Sequence, residues 1–477
     1  MHPSIHICTI LLCIISSLFH SHAEDSKPQT MGSVVLGLCH VRSLFTPSMG
    51  ILNSTKNDFL DIIEPVTAYT DGYLLSLNLG TPPQVFQVYL DTGSDLTWVP
   101  CGTSSYECME CGNEHGTSKP TPTFSPSQSS SNTRDLCGSR FCVDIHSSDN
   151  RYDPCAAAGC SIPAFTSGLC PRACPSFSYT YGGGALVMGS LARDVVTLHG
   201  SMDGTGPVPV EFPGFCFGCV GSSIREPIGI AGFGKGTLSL PSQLGFLGKG
   251  FSHCFLGFRF ARNPNITSPL VMGDLALSAT DGFLFTPMLK SITYPNFYYI
   301  GLEGVSLGDD GAAAMAAAPP SLIGIDPEGN GGVIVDTGTT YTHLPGPFYA
   351  SIMSSLSSIV PYDRSYDLET RTGFDLCFKI PCPHAPCTED ELPPISLHFL
   401  GDVKLTLPKQ SCYYAVTAPK DSVVVKCLLF QRMDDGDGNT SGPGAVLGSF
   451  QMQNLEVVYD LEMGRVGFQP RDCALHA

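Results

Sequence analysis

Alternating apolar and polar residues mark the first strands of the chain. The run Tyr73–Gly80 repeats with a period of two, which predicts a half-buried strand. Thr81–Gln84 holds two prolines and is expected to turn, and Val85–Leu90 then forms a second strand that ends at Asp91. The pattern therefore predicts an acidic side chain where a strand gives way to a tight glycine turn.

Similar patterns return further along the chain. Phe177–Tyr181 alternates aromatic and polar residues, and apolar character resumes over Ala185–Val196. The glycines between them predict a hairpin whose tip is a candidate mobile lid. Asn296–Gly308 alternates again, residues 287–295 are interpreted as a crossover between lobes, and the alanine-rich tract 311–320 as a disordered surface loop.

Length and composition indicate two lobes of mostly β structure. The 477 residues are enough for two lobes of roughly 200 residues, each with its own core. Only 14% of the residues are charged, whereas Gly (51) and Pro (38) are abundant. Long surface helices need more charge than this, so many short strands joined by turns are expected and the fold class is all-β.

The charge of the chain argues against nucleic acid as a partner. Lysines and arginines number 25 against 43 aspartates and glutamates, a formal charge of -18, and no basic cluster occurs. An acidic surface is also compatible with work at low pH, although neutral-pH proteins share it.

The N-terminus resembles a secretory signal. An apolar stretch at residues 5–19 precedes Ser21-His22-Ala23, a small-x-small cleavage pattern, so residues 1–23 are interpreted as a signal peptide. The n-region has no Lys or Arg, which leaves an uncleaved anchor as the alternative. No other segment reaches 18 apolar residues, so no stable membrane span is expected. Residues 24–67 are interpreted as a removable prosegment, 68–290 as an N-terminal lobe and 291–477 as a C-terminal lobe.

Cysteine usage points to an oxidising compartment. The chain has 21 cysteines, of which twelve fall between Cys101 and Cys254 and six between Cys377 and Cys473. Both counts are even, so each lobe is expected to close its own disulfides. The insertion 101–175 has little periodicity, and disulfides are expected to replace a core there. Three glycosylation sequons, at Asn53, Asn265 and Asn439, agree with a secretory route.

One thirteen-residue unit occurs twice. Val88–Pro100 aligns without gaps on Val333–Pro345, 336 − 91 = 245 residues later, with six identical positions. Each copy contains Asp-Thr-Gly-[Ser/Thr], starting at Asp91 and at Asp336. A single copy is most often a turn with an Asx cap, but two in register predict two carboxylates that meet.

Paired carboxylates suit acid and base catalysis on water. Two that lie close together cannot both ionise cheaply, so they retain and share one proton. One carboxylate then takes a proton from a water while the other donates to a carbonyl oxygen. Neighbours in the two motifs are expected to support them: glycines for the sharp turn, threonines that hydrogen-bond across a pseudo-twofold axis, and hydroxyls that orient the carboxylates (Gly93, Gly338, Thr92, Thr337, Ser94 and Thr339).

After about residue 70 the chain resembles the pepsin-type aspartic endopeptidases, whose dyads are known to share a proton in this way. The resemblance rests on both Asp-Thr-Gly loops, a Tyr-Gly flap and two apolar-apolar-Gly segments, Ile230–Gly232 and Val446–Gly448. Further motifs are similar to the plant nepenthesin-like branch: Gly80–Gln84, Asp91–Trp98 with Cys101, Gly232–Ser239, Phe251–Cys254 and the cysteine-rich insertion.

The resemblance implies a bilobal pepsin-like fold, with two β-barrel-like lobes and a cleft between them. Asp91 and Asp336 fall on the catalytic dyad, Tyr181 on the flap tyrosine, and Trp98 on the tryptophan that supports it. The flap departs from the family pattern, which usually reads Tyr-Gly-Asp/Thr-Gly-Ser. Here Tyr181 is followed by Gly182, Gly183 and Gly184, so a substrate hydrogen-bond partner is missing at Gly183.

The other motifs that resemble functional sites are better explained as ordinary structural features. Gly304-Val-Ser306-Leu-Gly308 matches a nucleophile elbow but lacks a following helix and an evident acid and histidine pair, so a strand-end turn is expected. Cys108–Cys111 and Cys216–Cys219 have zinc-like spacing but favour disulfides in this context. Asp435–Asn439 is interpreted as a polar turn rather than a calcium loop, and Gly232–Gly236 as a glycine-rich bend.

Together with the sequence patterns, this resemblance implies a secreted aspartic endopeptidase, made as a zymogen, that hydrolyses protein or peptide substrates. A monomer without metal or cofactor is expected, in the apoplast or cell wall with the vacuole as an alternative. The rival is a catalytically inactive pepsin-fold protein with a binding or inhibitor-like role, which the intact aspartates and glycines disfavour.

Overall fold

The computed structural model describes residues 33–42, 72–102, 106–111, 121–147, 153–166, 170–202, 205–263, 265–308, 314–382, 391–417, 422–433 and 441–476. The fold is mostly β, as predicted. Strands of the first half are β1 (Ser33–His40), β2 (Tyr73–Leu79), β3 (Gln84–Asp91), β4 (Trp98–Pro100), β5 (Glu107–Met109), β6 (Thr133–Arg134), β7 (Phe177–Thr180), β8 (Leu186–Met202), β9 (Thr205–Ile224), β10 (Gly229–Gly232), β11 (Phe251–Cys254), β12 (Ser268–Gly273) and β13 (Leu284–Pro287). Those of the second half are β14 (Tyr299–Ile300), β15 (Leu302–Leu307), β16 (Ala314–Ala317), β17 (Val333–Asp336), β18 (His343–Leu344), β19 (Cys377–Pro381), β20 (Ile395–Phe399), β21 (Val403–Thr406), β22 (Tyr413–Ala415), β23 (Val423–Leu428), β24 (Gln431–Arg432), β25 (Ala445–Gly448), β26 (Leu455–Asp460) and β27 (Arg465–Pro470).

Helices are short, with one exception that the sequence patterns did not predict. They are α1 (Arg140–Ile145), α2 (Pro154–Ala157), α3 (Ile162–Thr166), α4 (Leu240–Gln243), α5 (Pro320–Ile323), α6 (Gly346–Ile359), α7 (Tyr366–Thr372) and α8 (Lys409–Cys412). The 14-residue α6 begins directly after Pro345 and buries Phe348, Ile352 and Leu356, four residues apart. That spacing places their side chains on one helix face.

A 15-stranded sheet joins the two halves of the chain. Its central path runs β13-β27-β26-β11-β12-β1-β2-β3-β10-β4-β9-β8-β6. The C-terminal strands β26 and β27 thus extend the sheet of the first half, with β26 antiparallel to β11 from Tyr459↔Phe251 to Glu456↔Cys254. Smaller sheets of five, four and three strands complete the second half. The lobes are therefore linked by strand pairing as well as by covalent connections.

The segment interpreted as a prosegment contributes a strand to this sheet. β1 pairs with β12 from Ser33↔Gly273 to Leu38↔Ser268, and its end pairs with β2. Val34 and Leu38 are fully buried. Removal of all residues 24–67 would therefore take out a strand that is hydrogen-bonded on both sides, while the interpreted signal peptide lies outside the described residues.

Seven disulfides occur among the described residues: Cys101–Cys219, Cys108–Cys111, Cys137–Cys155, Cys142–Cys174, Cys160–Cys170, Cys254–Cys473 and Cys377–Cys427. The expectation that each lobe closes its own disulfides is wrong, since Cys254 and Cys473 join the two halves across a separation of 219 residues. Cys216 and Cys412 are buried free thiols, so an even count did not mean complete pairing.

Two further expectations need correction. The insertion is not held by disulfides alone, because Phe141, Ile145 and its half-cystines pack into one buried cluster with Trp98 and Leu191. The tract 311–320 is not simply a loop, since Ala314–Ala317 form β16 and pair with the open edge of β15. Within the part of the chain that the structure describes, no helix is both long and apolar enough to cross a bilayer.

Candidate active site

The two predicted aspartates end strands that have matching neighbours. Asp91 ends β3 and Asp336 ends β17. Each has a parallel partner strand, with Gly232 of β10 opposite Asp91 and Gly448 of β25 opposite Asp336. Backbone atoms of the following turn occupy the space where side chains at Gly232 and Gly448 would lie. The duplicated sequence unit is therefore a duplicated structural unit.

Each carboxylate receives the same pair of hydrogen bonds. The amide of Gly93 donates to Asp91 Oδ1 at 2.9 Å, and the amide of Gly338 donates to Asp336 Oδ1 at the same distance. The Ser94 hydroxyl donates to Asp91 Oδ2, and Thr339 Oγ1 donates to Asp336 Oδ2 at 2.6 Å. Two donors on each carboxylate fix its orientation.

The threonines of the two motifs cross-link the turns. The Thr92 amide donates to Thr337 Oγ1 at 2.9 Å, and the Thr337 amide donates to Thr92 Oγ1 at 3.0 Å. Their hydroxyls donate onward, from Thr92 to the Val335 carbonyl and from Thr337 to the Leu90 carbonyl, each at 2.8 Å. Both threonines are buried, so these four bonds hold the two strand ends together with pseudo-twofold symmetry.

The two carboxyl groups lie beside each other. The charge of Asp336 acts on the Asp91 carboxyl and raises its pKa. A Cβ at Gly93 would lie 2.5 Å from Asp336 Oδ1, and one at Gly338 would collide with Asp91 Oδ1. Glycine is thus required at both positions because each turn passes directly beside the opposite carboxylate.

Burial and charge set the proton affinity of this pair. Asp91 is only 6% exposed, whereas Asp336 is half-buried. Burial, and then the neighbouring Asp336 charge, raise the pKa of Asp91 well above its ordinary value. Hydrogen bonds from Ser94 and Gly93 oppose the rise but are smaller causes. Burial and the neighbouring carboxyl therefore favour the protonated form of Asp91.

The glycine hairpin lies over the pair as a flap. Tyr181 follows β7, and its amide donates to the Ala185 carbonyl at 2.8 Å to close the hairpin. The fully buried Trp98 donates from Nε1 to the Tyr181 hydroxyl at 2.8 Å. Gly183 adopts φ 72°, in the left-handed region, and its carbonyl accepts a hydrogen bond from Arg225 Nη1 at 2.8 Å. The triple glycine therefore serves the tight turn of the flap tip.

A cleft of about 540 Å³ runs between the flap and the aspartates. One wall comes from the first half of the chain and the other from the second. The lining includes Tyr89, Asp91, Tyr181, Gly182, Gly183, Glu226, Pro227, Ile230, Asp336, Thr339, Tyr341, His343, Gln431 and Met433. The arrangement can hold a polar group against two carboxyls that share a proton.

Among the residues that the structure describes, the other motifs form no comparable site. Ser306 Oγ lies 2.8 Å from His398 Nε2, so a histidine partner that sequence reasoning missed does exist. Ser306, however, is buried inside β15, and the next element among the described residues is the strand β16, so the strand, turn and helix of a nucleophile elbow are not seen there. Cys108 pairs with Cys111 as expected, whereas Cys219 pairs with Cys101 and not with Cys216. Asp435–Asn439 lies outside the described residues.

Comparison with known proteins agrees with this geometry. Residues 73–274 match a family model described as xylanase inhibitor N-terminal, and residues 297–470 match its C-terminal counterpart. A probable aspartyl protease of Arabidopsis thaliana is 36% identical over 448 residues, covering 86% of this chain and 84% of the relative. Nepenthesin-2 of Nepenthes gracilis, an aspartic proteinase, is 30% identical over 430 residues, covering 89% and 83%.

The chain belongs to the pepsin-like aspartic protease family, in its nepenthesin-like plant branch. Solved structures support the fold. Conglutin gamma from lupine seeds superposes with a TM-score of 0.61 at 17% identity, covering 92% of this chain and 95% of that one. Basic 7S globulin from soybean gives 0.59 at 18% identity, covering 93% and 99%.

Two acidic residues near this pepsin-like site were missed by sequence reasoning. Asp95, four residues after Asp91, is buried and accepts hydrogen bonds from the Gly236 amide and from Asn296 Nδ2. Glu226 lines the cleft beside the flap. The only sequence signal for either was the acidic residue itself. Of the sequons, Asn265 is exposed, and Asn53 and Asn439 lie outside the described residues.

Proposed function

We propose that this protein is a secreted aspartic endopeptidase in which Asp91 and Asp336 activate a water to hydrolyse peptide bonds. The observation that carries the proposal is the placing of these two carboxyls beside each other's turns, within a symmetric set of eight hydrogen bonds, four to the carboxylates and four between the threonine turns. Relatives named as aspartic proteases support it.

The proposed reaction uses the shared proton of the dyad. The ionised carboxylate removes a proton from the bound water, which attacks the scissile carbonyl carbon. The protonated carboxyl donates to the carbonyl oxygen, so charge does not accumulate in the tetrahedral intermediate. The raised pKa of Asp91 favours it as the group that holds this proton before substrate binds. Proton return to the amide nitrogen then breaks the C–N bond.

The flap is proposed to cover an extended peptide. Tyr181, Gly182 and Gly183 line the cleft opposite the dyad, and Trp98 holds the tyrosine hydroxyl. A peptide that lies between them would be shielded from bulk water on one side. With no side chain at Gly183, backbone groups are the flap's only hydrogen-bonding atoms at that position.

We further propose a secretory route. Residues 1–23 would direct export, maturation would occur within residues 24–67, and Asn265 would carry a glycan together with Asn53 and Asn439. Disulfides throughout the described residues support an oxidising destination such as the cell wall or vacuole. A monomer that takes protein or peptide substrates, and neither nucleic acid nor a cofactor, completes the proposal.

The rival function is a binding or inhibitor-like role without catalysis. The family models that match are described as xylanase inhibitor, and the structural neighbours are seed globulins, which favours keeping this candidate. Against it, both aspartates, both glycines and all four supporting hydroxyls are in place. A binding role alone would not require two carboxyls placed beside each other's glycine turns.

The deciding experiment is an acid digest of a denatured protein substrate by the secreted, matured protein. Cleavage near pH 4 that pepstatin blocks, and that Asp91→Asn and Asp336→Asn each abolish, supports the enzyme. Asp281→Asn, an exposed aspartate outside the cleft, serves as the matched control and should cleave normally. Full activity only above neutral pH would contradict the mechanism, and no cleavage by a correctly matured protein would favour the binding role.

A further inference from the structure

Glu226 is a carboxylate of the cleft that the proposed mechanism does not use. It lies between β9 and β10 and lines the same cavity as Asp91, Asp336 and Tyr181. Two side chains hold its backbone: Tyr106 donates to its carbonyl at 3.0 Å and Ser223 donates at 2.7 Å. Pro227 follows and restricts the chain further. The main chain is thus anchored at the place where Glu226 lines the cleft.

The Glu226 carboxylate has no partner among the described residues. The adjacent cation, Arg225, is directed elsewhere, since its Nε donates to Glu110 Oε2 and its Nη1 to the flap carbonyl of Gly183, each at 2.8 Å. Burial accordingly raises the pKa of Glu226 to about 7. A half-buried carboxylate without a hydrogen bond or ion pair is costly for a fold to keep in its charged form.

The remaining charges of the cleft make it attractive to cations. Its ionisable lining consists of the carboxyls of Asp91, Asp336 and Glu226, the imidazole of His343, and tyrosine hydroxyls that stay neutral in acid. Acidic groups therefore outnumber basic ones by three to one. The potential in such a cleft favours a positively charged ligand.

We propose that Glu226 forms a subsite, beside the flap, for a lysine or arginine side chain of the peptide substrate. This inference rests on the proposed endopeptidase function and adds its substrate class. The cationic head group would supply the ion pair that the carboxylate lacks, and the aliphatic stem would lie on Ile230 and Pro227 of the same wall. Glu226 is then a specificity residue and takes no part in the bond cleavage.

The test compares lysine with norleucine, which has the same aliphatic stem without the charge. A set of fluorogenic peptides carries one or the other at each position from three before to three after the cleaved bond. At one of these positions, the wild-type protein should cleave the lysine peptide at pH 6 with a kcat/KM about tenfold higher than that for the matching norleucine peptide. Glu226→Gln should lose that preference and cleave the norleucine peptide within about twofold of wild type. Glu303→Gln, an exposed glutamate in β15, is the control that should keep it.

The pH dependence gives a second readout. A bound cation lowers the pKa of Glu226, so the lysine-to-norleucine ratio should rise between about pH 4 and pH 7 in wild type and stay flat in Glu226→Gln. Asp91, Asp336, His343, Arg225 and Glu110 also carry charge near this subsite, and the flat profile of the variant separates their titration from that of Glu226.

The failures of the two proposals are distinguishable. Equal cleavage of both peptide sets, or a lysine preference that survives Glu226→Gln, overturns the subsite while the endopeptidase stands. If no peptide is cleaved, the endopeptidase is overturned, and calorimetric binding of the same peptides to Asp91→Asn decides the subsite. Tighter binding of lysine peptides that Glu226→Gln removes supports it, and equal binding overturns it.

Discussion

Asn296 donates its side-chain amide to the buried carboxylate of Asp95 at 2.5 Å, across 201 residues of sequence. The Gly236 amide donates to the same carboxylate at 2.7 Å. Asp95 follows the first motif and Asn296 precedes the strands of the second half, so this bond ties the two halves together beside the dyad. Burial is the largest cause that raises the pKa of Asp95, to about 6.

The burial of Asp95, which outweighs these hydrogen bonds, predicts greater stability in acid. The folded pKa of Asp95 is about 6 against 3.8 ordinarily, so the folded state binds more protons between these values. The contribution of Asp95 to the free energy of unfolding is complete below about pH 4. It is lost as the pH rises through 6, and the total loss is about 3 kcal/mol. The raised pKa values of Asp91 and Glu226 act in the same direction.

Urea unfolding with intact disulfides at pH 4 and pH 7 measures this difference. Asp95→Asn should reduce the loss of unfolding free energy between the two pH values, while Asp281→Asn should leave it unchanged. If Asp95→Asn retains the full wild-type difference, the carboxylate is not the group that titrates.

The glycines of the two motifs predict a second outcome. A Cβ at Gly93 would lie 2.5 Å from Asp336 Oδ1 and must displace it. Displacement of the opposite carboxyl by even about 1 Å should lower kcat about a hundredfold or more in Gly93→Ala and Gly338→Ala. Gly248→Ala is the control, because a Cβ there meets no atom within 4 Å. Near-normal kcat in both motif variants would show that the dyad geometry is not needed for turnover.

The bond between Trp98 and Tyr181 predicts a signal from the flap. Trp98 is the chain's only tryptophan, so its emission reports on this contact alone. Tyr181→Phe leaves the buried indole N–H without its acceptor and should shift the emission and lower kcat/KM about tenfold. Tyr366→Phe, at a tyrosine that is 66% exposed, should do neither. Unchanged emission in Tyr181→Phe would mean that the hydroxyl does not hold the flap in solution.

The sequence could predict matching positions for Asp91 and Asp336 because its information there is local and repeated. Asp91 and Asp336 each sit in a strand and turn that the neighbouring residues specify, and duplication implies a shared axis. The flap tyrosine and its tryptophan followed from the family resemblance. By contrast, the Asp95 to Asn296 bond and the partner of Ser306 depend on which distant segments meet, and no local pattern encodes that.

The place of the N-terminal strand was equally hidden. Nothing in Ser33–His40 distinguishes an inserted strand from a removable segment, because the distinction depends on the open edges of β2 and β12 that it fills. The even number of cysteines in each half led to a wrong prediction for a similar reason. An even count in each half is compatible with a bond between the halves whenever one thiol in each stays buried and free, as Cys216 and Cys412 do.

The disulfide between the halves predicts a large effect on stability. Cys254 and Cys473 are 219 residues apart, so their bond removes much of the freedom of the unfolded chain. Replacing both by alanine should lower the free energy of unfolding by about 3 to 5 kcal/mol, while β11 and β26 still pair and activity at 25 °C survives. The matched control replaces Cys108 and Cys111, which close a loop of only 3 residues and should cost far less. Thermal unfolding of both double variants makes the comparison. Equal losses of unfolding free energy would show that the disulfide between the two halves stabilises the protein no more than the local one does.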